Sequence, residues 1–249
     1  MVTHDAVSVD EVSGDRRAPS ENDSTLARMR DRWRRFARED ALHYVAANRE
    51  GWDEAAFYGM GRDLAEEVIA WAGDGLGRRR MLEIGCGAGR MLVHFAPHFE
   101  RVDGVDIAPE MLERARKHVP ENVHLCVGTG ATLDRFEDES VDLIFSVQVF
   151  QHIPDRALIA EYINECGRVL RQGGRAVLQF DSRPNALARR LALRLPDALL
   201  PRDRRRYIRR YPVPPGWPVA IGAAAGLSLL DERGPGTHDH LVLFERPRV

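Results

Sequence analysis

The sequence has no run near the roughly 20 consecutive apolar residues that a bilayer-spanning helix needs. Its first residues, MVTHDAVSVDEVSGDRR, carry acid where a secretory leader carries base and an apolar stretch. We therefore expect a cytoplasmic protein with no membrane partner. Cysteine is scarce: Cys86, Cys126 and Cys166 stand far apart, with no CxxC and no histidine at ligand spacing. Neither a disulfide framework nor a zinc site is indicated, and no metal is expected. Lysine is all but missing, since Lys117 stands alone among 36 basic residues and the rest are arginine. The skew weakens any argument from arginine counts. Net charge is also missing: 36 basic against 38 acidic residues gives -2. A phosphate-binding domain carries a basic excess, so no nucleic-acid partner is expected.

What is present is an ordinary globular composition, 44% hydrophobic and 30% charged over 249 residues. As one compact unit, such a chain would bury roughly three quarters of its unfolded surface. Residues 1–23 hold six acids against two arginines and almost nothing large and apolar, the signature of a disordered acidic tail. From Ser24, a suitable N-cap, Leu26, Met29, Trp33 and Phe36 recur at helical spacing. A second helical stretch runs through Leu42, Tyr44 and Val45, and a third spans about 61–71 before the breakers Gly73, Gly75 and Gly77. Residues 24–77 thus read as an N-terminal helical cap, with Trp33 and Phe36 as contacts among its helices.

From residue 78 to 249 the pattern changes to short apolar runs alternating with helices. Strands are expected at 80–84, 102–106, 123–127, 141–147 and 175–180, and helices at 91–98, 109–119 and 156–170. That alternation implies right-handed crossovers and an α/β fold with a parallel sheet covered on both faces. A helix over 218–227 and strands at 229–233 and 241–245, paired around GPGTHD, would make the far edge antiparallel.

Directly after the first expected strand stands Glu83-Ile84-Gly85-Cys86-Gly87-Ala88-Gly89, with a helix behind it. Glycines there let the backbone turn tightly and bring a ligand against amides at a helix N-terminus. A dinucleotide fingerprint needs its third glycine one place later, where Arg90 stands. The spacing instead resembles motif I of the class I S-adenosylmethionine-dependent methyltransferases, in the small-molecule, type 11-like branch. VDGVDIAPEML, SVDLIFSVQVFQHIPD and RVLRQGGRAVLQF extend the resemblance over about 79–182.

The resemblance implies a Rossmann-like, doubly wound, seven-stranded, mostly parallel sheet with an antiparallel last strand, and S-adenosylmethionine as cofactor. It implies that Gly85, Gly87 and Gly89 pass close to the methionine part of the cofactor, with Cys86 a small residue that fits and Arg90 alongside. Glu83 would act on the cofactor ammonium. Asp106 would grip both ribose hydroxyls, a task suited to a carboxylate that accepts two charge-assisted hydrogen bonds. Ile107 and Met111 would line the adenine and ribose side, and the backbone around Thr129, Gly130 and Ala131 would read the adenine edge. Thr129 stands where the family often has an acid. Val147 and Gln148 would face the methionine and the methyl group.

His152 is the candidate general base, with a brace of the turn as the alternative; Gln148 and Gln151 are candidates for orienting the acceptor. Tyr58, in the segment WDEAAFYGMG, resembles the aromatic closure of related enzymes; its alternative is packing of a lid helix. Residues 183–210 hold ten arginines and two acids. They read as an amphipathic lid with solvated charges, or as an entrance for an anionic small-molecule acceptor. SVQV after the fourth strand, in place of Asn-Pro-Pro-Tyr, speaks against methylation of DNA bases. A nucleotide-dependent oxidoreductase and a non-catalytic S-adenosylmethionine-binding protein remain as alternatives.

Overall fold

The computed structural model describes residues 21–46, 53–184, 199 and 210–248. Most of the acidic tail and most of the arginine-rich insertion therefore lie outside the described residues. The first helix, α1 (Glu21–Ala46), begins three residues before Ser24, so Ser24 lies inside it and is not its cap. The two helical stretches expected before residue 46 form one run, kinked at Asp40, whose backbone leaves the helical region (φ -162°, ψ 85°). Then come α2 (Glu54–Gly59), capped by the Asp53 carboxylate, and α3 (Gly61–Ala72). No helix among the described residues is long and apolar enough to cross a membrane.

The sheet follows: β1 (Arg80–Ile84), α4 (Leu92–Phe95), β2 (Arg101–Asp106), α5 (Pro109–Ala115), β3 (Val123–Val127), β4 (Val141–Ser146), α6 (Arg156–Val169) and β5 (Leu170–Phe180). It closes with α7 (Trp217–Ala224), β6 (Ser228–Arg233) and β7 (His240–Glu245). Strand order is β3-β2-β1-β4-β5-β7-β6, with only β7 running against its neighbours. Three helices are shorter than their patterns suggest. The one after β1 passes at Ala96 into a 3-10 turn containing Pro97, whose missing N–H ends the α-helical ladder. α5 stops at Ala115, and α7 at Ala224. β5 is longer than expected, because the double-glycine turn at Gly173 and Gly174 is absorbed into a bulged strand.

The central strands are apolar on both faces, as a parallel sheet covered on both sides requires. Alternation divides them between two cores. Leu82, Ile84 and Ile144 pack on the side of α6 and α7. Met81, Leu143 and Phe145 pack on the side of α3 and α4. β1 lies between β2 and β4, so the chain leaves β1 toward one edge and returns on its other side. The loops after β1, β2 and β4 therefore diverge at their carboxyl ends and open a crevice there.

Candidate functional site

That crevice is a cavity of about 1140 Å³, its open mouth included. Its floor is the glycine loop after β1. Gly85 and Cys86 donate their N–H groups to the Val105 carbonyl at 2.7 and 3.0 Å, which turns the loop back over β2. Gly85 has φ +73°, and a Cβ there would collide with Val149 of the loop after β4. Glycine is thus required both for the turn and for the contact between the two loops.

Asp106, at the end of β2, accepts from the Gly87 N–H at 2.9 Å and the Ala108 N–H at 2.8 Å. One carboxylate, each oxygen taking one amide, fastens the glycine loop to the start of α5, and the residue lines the cavity. Burial pushes its pKa up to about 6, against the pull of those amide hydrogen bonds. Glu83 lies deeper and is 5% exposed. Burial raises its pKa to about 8, with the Arg90 charge opposing and the Asp106 charge adding. Its Oε2 has no hydrogen-bond partner, and neither has Nε of Arg90. The Arg90 guanidinium lies 5.7 Å from the centre of the Phe57 ring, and burial lowers its pKa despite Glu83.

The cavity brings together Glu83, Gly85, Cys86, Gly87, Arg90, Asp106, Ile107, Met111, Gly130, Val147, Gln148 and His152, all expected at the site. The Cys86 thiol is pushed well up by burial, which makes it a poor nucleophile. Four expected residues do not line the cavity. Gly89 turns behind the loop, where a Cβ would press on Ala115 and Val119. Thr129 spends its hydroxyl within its own loop, accepting from the Thr132 N–H at 2.9 Å, and Ala131 is buried in the adjacent core. Tyr58 is the clearest departure. Its hydroxyl donates to the Ala88 carbonyl at 2.9 Å and its ring lies 4.3 Å from that of His118, so it braces the glycine loop from outside. Burial, aided by the Glu54 charge, pushes that phenol up to about 12 and keeps it a neutral donor.

The aromatic closure comes instead from α1. Trp33 and Met29 line the cavity, and Trp33 meets the His152 ring edge-on at 5.8 Å. α1 is seated on α5 through Ala37, Ala41, Ala108 and Met111. Arg34 and Arg38 both bind the Glu110 carboxylate, at 3.1 and 2.6 Å. Tyr162 of α6 also lines the cavity without having been singled out in the sequence, and so does Arg210, the last residue of the arginine-rich segment 183–210. Burial raises the Tyr162 phenol far above its ordinary range.

The loop after β4 supplies the remaining wall. Gln148 adopts φ +62°, a left-handed conformation uncommon outside glycine. Its N–H donates to Gln179 Oε1 at 2.7 Å, and Gln179 Nε2 donates to Asp239 at 2.8 Å. His152 closes the 3-10 turn Phe150–His152, where Gln151 Nε2 lies 3.3 Å from His152 Nε2.

Residues 82–178, the span containing all three loops, match the family model described as a methyltransferase domain. The matched span is a methyltransferase domain of the class I S-adenosylmethionine-dependent type. It is 31% identical over 135 residues to an uncharacterized methyltransferase of Bacillus subtilis, covering 53% of this chain and 51% of that protein. Over 155 residues it is 37% identical to the malonyl-[acyl-carrier protein] O-methyltransferase of Methylococcus capsulatus, covering 59% and 53%. The chain thus spans about half the length of these curated relatives. The crystal structure of the Bacillus subtilis protein superimposes with a TM-score of 0.52 at 26% identity, covering 69% of this chain and 72% of that one. A structure of an amino pentose methyltransferase from Micromonospora echinaspora, with S-adenosylmethionine bound, shares the fold (TM-score 0.59, 22% identity, 80% and 100% covered).

The residues of this methyltransferase domain fit the family's cofactor. S-adenosylmethionine carries an α-ammonium and an α-carboxylate at one end, and the cavity offers a buried carboxylate oxygen and a buried guanidinium nitrogen that both lack partners.

Proposed function

We propose that the chain transfers the methyl group of S-adenosylmethionine to an oxygen, nitrogen or carbon nucleophile of a small molecule. The observation that carries this reading is the pair Glu83 and Arg90. An unpaired buried polar atom costs about 1–3 kcal/mol, more when charged, so the two orphans amount to a standing demand for a zwitterionic ligand. Glu83 would take the ammonium, Arg90 the carboxylate, Asp106 the ribose hydroxyls, and Ile107 with Met111 the flat side of the adenosine.

When bound, the cofactor supplies an electrophilic methyl group on a sulfonium, whose bonding pair stays on sulfur as the acceptor attacks. The protein's part is to hold the acceptor in line, about 3–3.5 Å from that carbon, and to exclude water. Trp33 and Met29 of α1 roof the cavity. Gln148 and Val147 line the wall expected to face the methyl group. His152 accepts the acceptor's proton where one must leave, the general-base role open to a neutral imidazole. Residues 24–77 act as a cap over the domain formed by 78–249, and Tyr58 acts as a brace of the glycine loop, a positioning role. An anionic acceptor suits Arg210, which lines the cavity.

Calorimetric titration tests the reading. S-adenosylmethionine and S-adenosylhomocysteine should bind at micromolar affinity and NADH not at all; binding of NADH alone would replace the methyltransferase with an oxidoreductase.

A further inference from the structure

Resting on the reading that the cavity holds S-adenosylmethionine, we propose that Gln151 selects the acceptor. It favours a hydroxyl group carried on an apolar body that is neutral or anionic, and the site rejects a protonated amine. The starting observation is a third orphan lining the same cavity. Gln151 is 2% exposed, lines the cavity, and its Oε1 has no hydrogen-bond partner.

The amide is held in place. Its Nε2 lies against His152 Nε2, and its backbone carbonyl accepts the Tyr211 N–H at 2.7 Å. A fixed, desolvated carbonyl oxygen accepts hydrogen bonds and donates none, so it rewards an O–H or N–H on whatever fills the space beside it. Charge then separates the two donors. The carboxylates that line the cavity among the described residues, Glu83 and Asp106, are both taken by the cofactor on that reading, so neither is left for the acceptor. Val149, His152 and Ile153 flank Gln151 in the chain and line the cavity with it; Trp33 meets the His152 ring, the Tyr162 ring meets Phe150, and the bond from Tyr211 to Gln151 places the cavity-lining Arg210 adjacent in the chain. An ammonium group here would lose its hydration without gaining a carboxylate, whereas a hydroxyl meets its acceptor and a nearby carboxylate meets a cation. Trp33 and Ile153 provide apolar surface for the body of the molecule.

The test is calorimetry on the protein saturated with S-adenosylhomocysteine, using 4-hydroxybenzoate, benzoate and tyramine as probes. 4-Hydroxybenzoate should bind about tenfold or more tightly than benzoate, and tyramine more weakly than either. Gln151→Leu should bring 4-hydroxybenzoate down to the affinity of benzoate and leave benzoate itself unchanged; Gln151→Met gives the same comparison if leucine disturbs folding. Equal binding of 4-hydroxybenzoate and benzoate by the unaltered protein, tighter binding of tyramine, or no binding of all three would overturn the proposal. Failure of S-adenosylhomocysteine itself to bind would overturn the cofactor reading first, a result visible before any probe is added.

Discussion

Gln179 holds Gln148 in its left-handed conformation: the side-chain oxygen of one accepts the backbone N–H of the other at 2.7 Å, beneath the wall of the cavity. Backbone strain of this kind costs on the order of 1–3 kcal/mol and persists only where surrounding contacts over-determine it. Gln179→Leu should therefore destabilise the protein by about 1–2 kcal/mol in urea unfolding. Gln148→Gly should recover part of that loss, because glycine adopts the same angles freely. An equal effect of Gln179→Leu in both backgrounds would separate Gln179 from the strain.

Glu83 trades stability for binding. Its pKa is about 8 in the folded chain against an ordinary 4.5, so between those values the folded protein keeps a proton that the unfolded chain releases. Stability must then fall as pH rises through that window. Glu83→Gln, without cofactor, should melt at the same temperature as the native protein near pH 4 and at a higher one at pH 8. The same variant should bind S-adenosylmethionine weakly. At pH 7 the native protein should release a proton on binding, seen as an enthalpy that changes with the buffer.

Asp106 serves the loop and the ligand together. Asp106→Ala should weaken cofactor binding by about 1.5–3 kcal/mol, the scale of a hydrogen bond to a charged group. Asp106→Asn keeps the size but offers one acceptor oxygen, leaving affinity between the two. Unchanged calorimetric affinity in a folded Asp106→Ala protein would remove this residue from the site.

Tyr58→Phe should cost about 0.5–1.5 kcal/mol of stability through the lost bond to Ala88 and lower cofactor affinity slightly. The maximal rate at saturating cofactor should be unchanged, whereas a catalytic phenol would lower it. Steady-state kinetics with a methyl acceptor distinguish the two.

The order of strands and helices was legible in the sequence because each rests on local periodicity, and the glycine loop because its spacing is tied to a turn. The residues that cover the cavity were harder to read. Trp33 occupies a helical apolar position, and such a position has the same pattern whether it faces a core or a ligand. Tyr58, beside a glycine in a segment resembling a lid, points the other way, to a backbone carbonyl 30 positions along. Tyr162 is one of several apolar-face residues on α6, and only the tertiary fold turns its phenol toward the crevice. The strain at Gln148 has no compositional mark, since the usual sign of a positive φ is glycine.

The roof over the cavity is fastened by Arg34 and Arg38 to one carboxylate, Glu110, with both arginines substantially exposed. Ion pairs in that position contribute little each, about 0–1 kcal/mol, and dissolved salt screens them. The apolar seat of Ala37 and Ala41 against Ala108 and Met111 is not screened, so salt acts only on the ionic share of the hold on α1. Raising salt should loosen α1 only slightly and speed cofactor exchange by no more than a few-fold.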